Sequence, residues 1–406
     1  MNDAAPTPPG REHPGTVRET LAVFLRLGLT SFGGPVAHLG YFREAFVERR
    51  RWLDDRAYAD LVALCHVLPG PSSSQVGMAI GLQRAGIAGL LAAWVGFTLP
   101  SAVLLVAFAY GVSSFGDVSQ EGWLLGLKAA AVAVVAHAVL GMARSLTPDA
   151  KRATIAAAAM IAVLLFPHPL IQLAAIAVAA IVGMMWLTSI DDDRMGASSF
   201  TVRTPRIVAI GCLTAFAVLL LGLPLTASAT GSATVGLFDV FYRVGALVFG
   251  GGHVVLPLLQ AETVHAGLVD PGRFLAGYGA AQAVPGPLFT FAGYLGAVME
   301  GSPPRLLGAA IALIAIFLPS MLLLIGVLPF WERLRRSPRA QSALKGVNAG
   351  VVGILAAALY TPVFTEGVAG TPSLAIAVAM FVLLTAWKVP AWAVVLSAAV
   401  LGGILL

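Results

Sequence analysis

The chain has 406 residues, of which 58% are hydrophobic and only 11% are charged. Soluble domains carry about 25% charged residues, so this composition excludes a soluble enzyme with a solvated shell. The net charge of +5 comes from Lys and Arg near the ends of apolar segments, which indicates orientation in a bilayer rather than binding of nucleic acid. The 2 Cys both lie in apolar runs, so a disulfide framework is excluded as well.

The predicted elements are all helices. A helix that spans a membrane needs roughly 20 apolar residues, and the chain has room for about ten to twelve. Barrel strands would alternate apolar and polar side chains, whereas these runs are continuous. In chain order the apolar segments fall at 17–37, 57–82, 85–111, 122–143, 153–166, 169–188, 207–224, 235–258, 273–299, 305–330, 344–362, 372–387 and 390–406. The fold class is therefore an all-α polytopic membrane protein.

Polar segments divide this chain into two halves. The Pro-rich tail at 1–16 lacks the apolar core of a signal peptide, so we expect no cleaved leader. A polar stretch at 191–206 separates the earlier apolar segments from the later ones. We therefore predict a first transmembrane repeat at 17–190, a linker at 191–206 and a second transmembrane repeat at 207–406.

The two halves carry the same motifs in the same order. The pairs are Phe32-Gly33-Gly34 with Phe249-Gly250-Gly251, Pro69-Gly70-Pro71 with Pro285-Gly286-Pro287, Leu99-Pro100-Ser101 with Leu318-Pro319-Ser320, and Gly126-Leu127-Lys128-Ala129 with Gly346-Val347-Asn348-Ala349. Partners lie 216 to 220 residues apart. Four ordered matches with so little drift predict an internal duplication.

The charges of the loops predict that the halves have opposite orientations. Between the first two motifs, half one has five Arg, whereas half two has only Arg273. After the Leu-Pro-Ser motif the bias reverses, because loop 112–121 has no Lys or Arg and loop 331–345 has five. Basic short loops stay in the cytoplasm. We therefore predict an inverted repeat with broken helices, which is typical of secondary transporters. The number of crossings stays open, since each broken segment can span the membrane or re-enter.

The Pro-Gly-Pro motifs are the first candidates for a substrate site. Proline removes an amide donor and disfavours helix in the residue before it, so each motif should end one helix and start another. Free amides and the positive dipole end at a new helix start favour anions. The predicted site residues are Pro69, Gly70, Pro71, Ser72, Ser73, Ser74 and Gln75 in half one, and Pro285, Gly286, Pro287 and Thr290 in half two. The alternative is a packing kink capped by the serines.

Two further groups complete the predicted substrate site. Glycines allow close approach of a ligand, although small residues also serve helix packing. A buried amine can attract a dianion or snorkel to the end of its helix. These additional residues are Gly33, Gly34, Gly250, Gly251, Lys128 and its repeat partner Asn348. A lone histidine beside a helix break is more often a structural hydrogen-bonding group than a ligand or proton carrier, so His38 and His253 are left outside the site.

Enzyme motifs are missing from the sequence. It has no His-Glu-x-x-His, no paired Cys motif, no Walker A sequence and no Gly-x-Ser-x-Gly elbow. We therefore predict that the protein is not an enzyme and needs no metal or other cofactor. A hydrolase using a serine after Pro71 with His38, His66 or His137 is a rival that a serine-reactive probe would test.

The motifs together resemble the chromate ion transporter family in its long, two-domain form. The resemblance is carried by Phe32-Gly33-Gly34-Pro35, Arg51-Trp52-Leu53-Asp54, Leu68 to Val76, Leu99-Pro100-Ser101, Phe249 to Gly252 and Val284 to Thr290, and it extends from about residue 17 to the C-terminus. It implies a bacterial protein of the cytoplasmic membrane that exports chromate with the proton motive force and confers chromate resistance. The two halves of that family are regarded as an inverted duplication. Gly252 replaces the proline found at Pro35, so the two motifs are chemically unequal.

Several alternatives stay open at this point. Sulfate shares the charge and shape of chromate, and the residues do not separate the two. A passive anion channel and a sensory or structural membrane module are further rivals. We expect an oxyanion and the lipid bilayer as partners and no nucleic acid, while direction, coupling ion and oligomeric state, a homodimer included, are not readable.

Overall fold

The computed structural model describes residues 15–114, 121–166, 169–187, 200, 204–249, 255–301, 303–331 and 337–406. Regular structure within these ranges is helical, as the composition predicts, and five of the helices are long and apolar enough to cross a membrane. Most of the predicted linker at 191–206, together with Gly250, Gly251 and His253, lies outside the described residues.

Half one contains seven helices in its described part. They are α1 (Val17–Thr30), α2 (Gly34–Arg43, continued by a π turn at Glu44–Arg49), α3 (Asp55–Val67), α4 (Ser72–Ser114), α5 (Gly122–Leu146), α6 (Ala150–Leu165) and α7 (Pro169–Trp186). The backbone of α4 breaks at Ala85 and Gly86, where φ of the glycine is 64°. The break divides α4 into a short first arm and a long second arm.

The remaining helices repeat this pattern after one additional helix. They are α8 (Arg206–Thr230), α9 (Ala233–Leu247), α10 (Val255–Thr263), α11 (Pro271–Ala283), α12 (Phe291–Val298), α13 (Arg305–Val327), α14 (Pro338–Ala358), α15 (Thr371–Thr385) and α16 (Ala391–Leu405). The motif pairs place α9 to α13 opposite α1 to α4, and α14 to α16 opposite α5 to α7. Helix α8 has no counterpart among the described residues of half one.

The broken segments of half one fold as two helical hairpins. Arg84, at the end of the first arm of α4, forms a 3.0 Å ion pair with Glu19 at the start of α1. Its guanidinium also lies 4.3 Å from the ring centre of Trp52, in the loop between α2 and α3. The start of α1, the loop 50–54 and the break in α4 therefore lie at one end of the molecule. Each segment runs inward, turns at its Gly or Pro motif and returns to the same end.

Half two forms the same kind of hairpins. The hydroxyl of Tyr294 on α12 donates to the carbonyl of Arg273 on α11 at 2.9 Å, which makes the two helices antiparallel. Arg243 on α9 lies 3.2 Å from Glu262 on α10. Within the described residues, the apolar segments at 17–37, 57–82 and 273–299 thus fold as helical hairpins and not as single straight helices.

The two halves exchange helices. Helix α5 packs against α15 and α16 of half two, and α14 packs against α6 and α7 of half one. Each contact is close, because Gly126 on α5 meets the backbone of Ala398 and Gly346 on α14 meets the backbone of Ala179. The sequence repeats are therefore not separate packing units, and the hairpins are enclosed between them.

Candidate functional site

The tips of the hairpins meet in the interior through two equivalent hydrogen bonds. The amide of Gly70 donates to the carbonyl of Val248 at 2.6 Å, and the amide of Gly286 donates to the carbonyl of Ser31 at 2.9 Å. Ser31 and Val248 each precede the phenylalanine of the Phe-Gly-Gly motif in their own half. Each Pro-Gly-Pro tip therefore binds the residue that precedes the Phe-Gly-Gly motif of the opposite half.

Only glycine fits at the centre of these tips. Gly70 has φ of 118° and Gly286 has φ of 99°, which is the left-handed region where a side chain is strained. A Cβ on Gly286 would lie 2.7 Å from Oγ of Ser101, and one on Gly70 would collide with Oγ of Ser320. Ser101 and Ser320 are the serines of the Leu-Pro-Ser motifs, so three of the four repeated motifs converge here.

Polar side chains follow the tip of half one directly. Ser72, Ser73, Ser74 and Gln75 form the first turn of α4, and all four are buried. Nε2 of Gln75 donates to the carbonyl of Pro69 at 2.7 Å, which fixes the shape of the tip. The Pro-Gly-Pro break therefore starts a half-helix with hydroxyls and free amides at its start, as the sequence predicts.

The equivalent turn of half two is mostly apolar. Leu288, Phe289 and Phe291 stand where half one has Ser72, Ser73 and Gln75. Thr290 is the polar exception, and its hydroxyl donates to the carbonyl of Pro287 at 2.7 Å. Half one thus supplies the polar wall of the centre and half two supplies an apolar one.

Several buried polar atoms around the tips have no hydrogen-bond partner among the described residues. Four of them can donate a hydrogen bond, and one is an acceptor: Ser31 Oγ, His38 Nε2, Ser74 Oγ, Ser320 Oγ and the acceptor Gln75 Oε1. A buried polar group without a partner costs about 1–3 kcal/mol. These five atoms all belong to residues at or beside the hairpin tips.

The structure separates some predicted site residues from this centre. A Cβ on Gly272 would lie 2.7 Å from Nζ of Lys128, so the ammonium group sits at the start of α11. That position is about 18 Å from the Pro-Gly-Pro tip along the helix, at roughly 1.5 Å per residue. Asn348 lies half-buried in α14, and no hydrogen bond joins it to a tip in the described part of the chain. Gly33 and Gly34 form the tip between α1 and α2, with φ of 100° and 77°.

The sequence analysis left out four residues that the structure brings to the tips. Ser101 and Ser320 belong to the Leu-Pro-Ser motifs, and Ser31 directly precedes a Phe-Gly-Gly motif. Their positions in or beside repeated motifs could have identified them. His38 was left outside the site because a lone histidine beside a helix break is more often structural, and its counterpart in half two is Val255. That asymmetry matches the one between Ser73 and Phe289.

Fold and site together define an all-helical, multi-pass membrane protein with buried polar residues between helical hairpins. A family model described as chromate transporter matches residues 18–184 and again residues 235–403. Since these regions cover most of the chain, the protein belongs to the chromate transporter family. The same model matches twice, once in each half, and the segment between the matches contains α8.

Relatives with similar sequences have corresponding names. The chromate transport protein of Pseudomonas aeruginosa is 29% identical over 94% of this chain and 89% of its own length. The chromate transport protein of Cupriavidus metallidurans is 27% identical over 85% of this chain and 82% of its own. A probable chromate transport protein of Synechococcus elongatus is 26% identical over 86% of this chain and 85% of its own. No solved structure matches the chain.

Proposed function

We propose that this protein carries chromate out of the cytoplasm across the bacterial inner membrane, driven by the proton motive force. The observation that carries the proposal is the meeting of four hairpin tips around buried donors without partners. The choice of chromate as substrate comes from the relatives, which are named chromate transport proteins. Sulfate is the alternative substrate, because the same donors fit any tetrahedral oxyanion.

The binding site in this proposal is the polar wall of half one. Free amides and hydroxyls in the first turn of α4 replace the water around the anion, and the dipole of the helix start favours its charge. The glycines at Gly70 and Gly286 let the tips approach closely enough to enclose it. Lys128 lies on the approach to the site, since its ammonium group is at the far end of α11.

An inverted repeat is supported by the connection between the halves. Nζ of Lys151 at the start of α6 donates to the carbonyl of Trp186 at the end of α7, at 3.2 Å, so this pair of helices returns to the level where it began. With two re-entrant hairpins and the paired spans of α4 and α5, half one ends on the side where it starts. A second half of opposite orientation then needs one additional crossing. Helix α8, 25 residues long and largely exposed, is suited to supply it.

The test is uptake of labelled chromate into inverted membrane vesicles energised with a defined proton gradient. We expect accumulation that depends on the gradient and resists excess sulfate. Accumulation abolished by sulfate would point to a general oxyanion transporter, and flux that ignores the gradient would point to a channel. Equal flux in vesicles with and without the protein would contradict a chromate transporter.

Ser73→Ala tests the site itself. Hydrogen bonds to charged groups contribute about 1.5–3 kcal/mol, so we expect the KM for chromate to rise about tenfold or more while insertion is unchanged. Ser145→Ala is the matched control, because Ser145 is exposed near the end of α5 and its hydroxyl donates to the carbonyl of Gly141. Normal transport by Ser73→Ala would remove this serine from the site.

A further inference from the structure

We infer that His38 binds the transported anion through Nε2 and takes up a proton when it does so. The inference rests on the proposed function, because it assigns a role within the same site. It makes His38 the group that links anion binding to proton binding.

The geometry around His38 leaves one ring nitrogen for a ligand. The side chain is fully buried on α2. Nδ1 lies 3.4 Å from Oγ of Ser73, the ring is within hydrogen-bonding reach of the backbone of Ser31, and it packs against Phe97 with 5.2 Å between ring centres. Nε2 has no partner among the described residues. Its neighbours Ser31 and Ser73 are both residues of the anion centre.

Other charged groups do not supply a counter-ion for His38. Within the described residues no carboxylate oxygen lies within 4.0 Å of its ring nitrogens. The elements packed against α2 carry these titratable or charged side chains: Arg18, Glu19 and Arg26 on α1; Glu44, Glu48 and Arg49 on the π turn; Asp55, Arg56, Tyr58, Asp60, Cys65 and His66 on α3; Arg84 and Tyr110 on α4; and Tyr41 and Arg43 on α2 itself. Among them, Tyr58 contacts the residue next to His38, since its hydroxyl donates to the carbonyl of Leu39 at 2.6 Å.

Electrostatics couple the proton to the anion. A dianion held inside a membrane by neutral groups alone is costly. An imidazolium without a carboxylate partner is costly for the same reason. When both are present, the imidazolium offsets one of the two negative charges of the anion, and Nε2–H donates a charge-assisted hydrogen bond. Anion and proton should therefore enter the centre together.

The sign of the pH dependence follows from this coupling. Because the bound state holds one more proton than the free state, the affinity should fall by up to about tenfold for each pH unit as the pH rises above neutrality. Measurements between about pH 7.5 and about pH 9 are the informative ones, because chromate is then the dianion throughout. A proton taken up in that range enters when the complex forms, and the His38 variants show whether the histidine holds it.

The experiment is calorimetric titration of the purified full-length protein with chromate, in two buffers of different ionisation enthalpy. Near pH 7.5 we expect the wild type to take up close to one proton per anion. His38→Gln should bind chromate at least tenfold more weakly, take up no proton and lose the pH dependence. His38→Asn is a second variant. Its side-chain amide, like that of Gln, can donate a hydrogen bond but does not titrate, so it should behave in the same way.

His66→Gln is the matched control. His66 is exposed on α3, and its Nδ1 lies 2.9 Å from the carbonyl of Val62, so this variant should keep both affinity and proton uptake. Chromate binding by the wild type without proton uptake would overturn the role of His38 and leave the proposed function standing. Unchanged proton uptake in folded His38→Gln would overturn it too. A wild type that binds no chromate would overturn the proposed function, and the role of His38 with it.

Discussion

The backbone conformation of Gly70 and the space around it exclude every other amino acid. Its positive φ costs a side chain about 1–2 kcal/mol, and a Cβ there would collide with Ser320. Extra volume in a packed interior costs a further 1–3 kcal/mol or so. We therefore expect Gly70→Ala to lower the free energy of unfolding by about 2 kcal/mol or more and to abolish chromate transport, as measured by thermal unfolding in detergent and by vesicle flux.

Gly211→Ala provides the comparison for this prediction. Gly211 lies in α8 in helical conformation, and a Cβ there would meet nothing within 4 Å. Alanine is favoured over glycine inside a helix by about 0.5–1 kcal/mol, so this variant should be as stable as the wild type or more so. Equal stability of Gly70→Ala and Gly211→Ala would show that the tips do not need the close approach seen here.

The polar residues at the tips could be predicted from the sequence only where they directly follow a helix-breaking motif. Ser72 to Gln75 follow a Pro-Gly-Pro break in the sequence, and a helix start makes their burial and polarity informative. His38 and Ser320 reach the same centre from other helices, and Ser320 comes from the other half. The sequence does not show such contacts, because they depend on which hairpin tips face each other.

At the level of helices, the repeated Gly126 and Gly346 mark the places where the halves exchange elements. Each brings its helix into backbone contact with a helix of the opposite half. Small residues allow this close packing in membranes, where dispersion contacts hold helices together. We expect Gly126→Val to separate α5 from α16 and lower the free energy of unfolding by about 1–3 kcal/mol, as measured by thermal unfolding in detergent.

Gly141→Val is the matched control on the same helix. A Cβ at Gly141 would meet nothing within 4 Å, so valine there changes helix propensity and little else. The free energy of unfolding should change by less than about 1 kcal/mol. A loss as large as that of Gly126→Val would mean that propensity, and not packing, explains the effect.

Helix breaks were predictable from sequence, whereas the path after each break was not. Proline fixes where α3 ends and α4 begins, since the missing donor and the steric restriction are local. Whether the next helix continues or returns depends on tertiary contacts such as the ion pair of Arg84 with Glu19. Hydropathy alone therefore does not separate a hairpin from a straight span, because each half of a hairpin is as apolar as part of a span.

At the scale of the whole molecule, the reciprocal tip contacts and the reversed loop charges point to the same arrangement. If the hairpins of the two halves enter from opposite sides, their tips meet at the midplane, and each glycine amide finds a carbonyl of the other half. In the alternative arrangement, the hairpins of both halves enter from one side, and the loops of both halves then lie on the same face. The locations of two loops therefore decide between these arrangements.

Single cysteines in those two loops give the test. In a background with Cys65→Ala and Cys212→Ala, we expect Arg50→Cys to react with an impermeant maleimide only from the cytoplasmic face and Ala266→Cys only from the opposite face. Both positions are exposed, so permeabilised membranes should label both and serve as the control. The physical reason is that the five Arg between the first two motifs hold their loop in the cytoplasm, while the equivalent loop of half two has only Arg273. Labelling of both cysteines from one face would contradict the inverted repeat and would require the tips to meet by a different path.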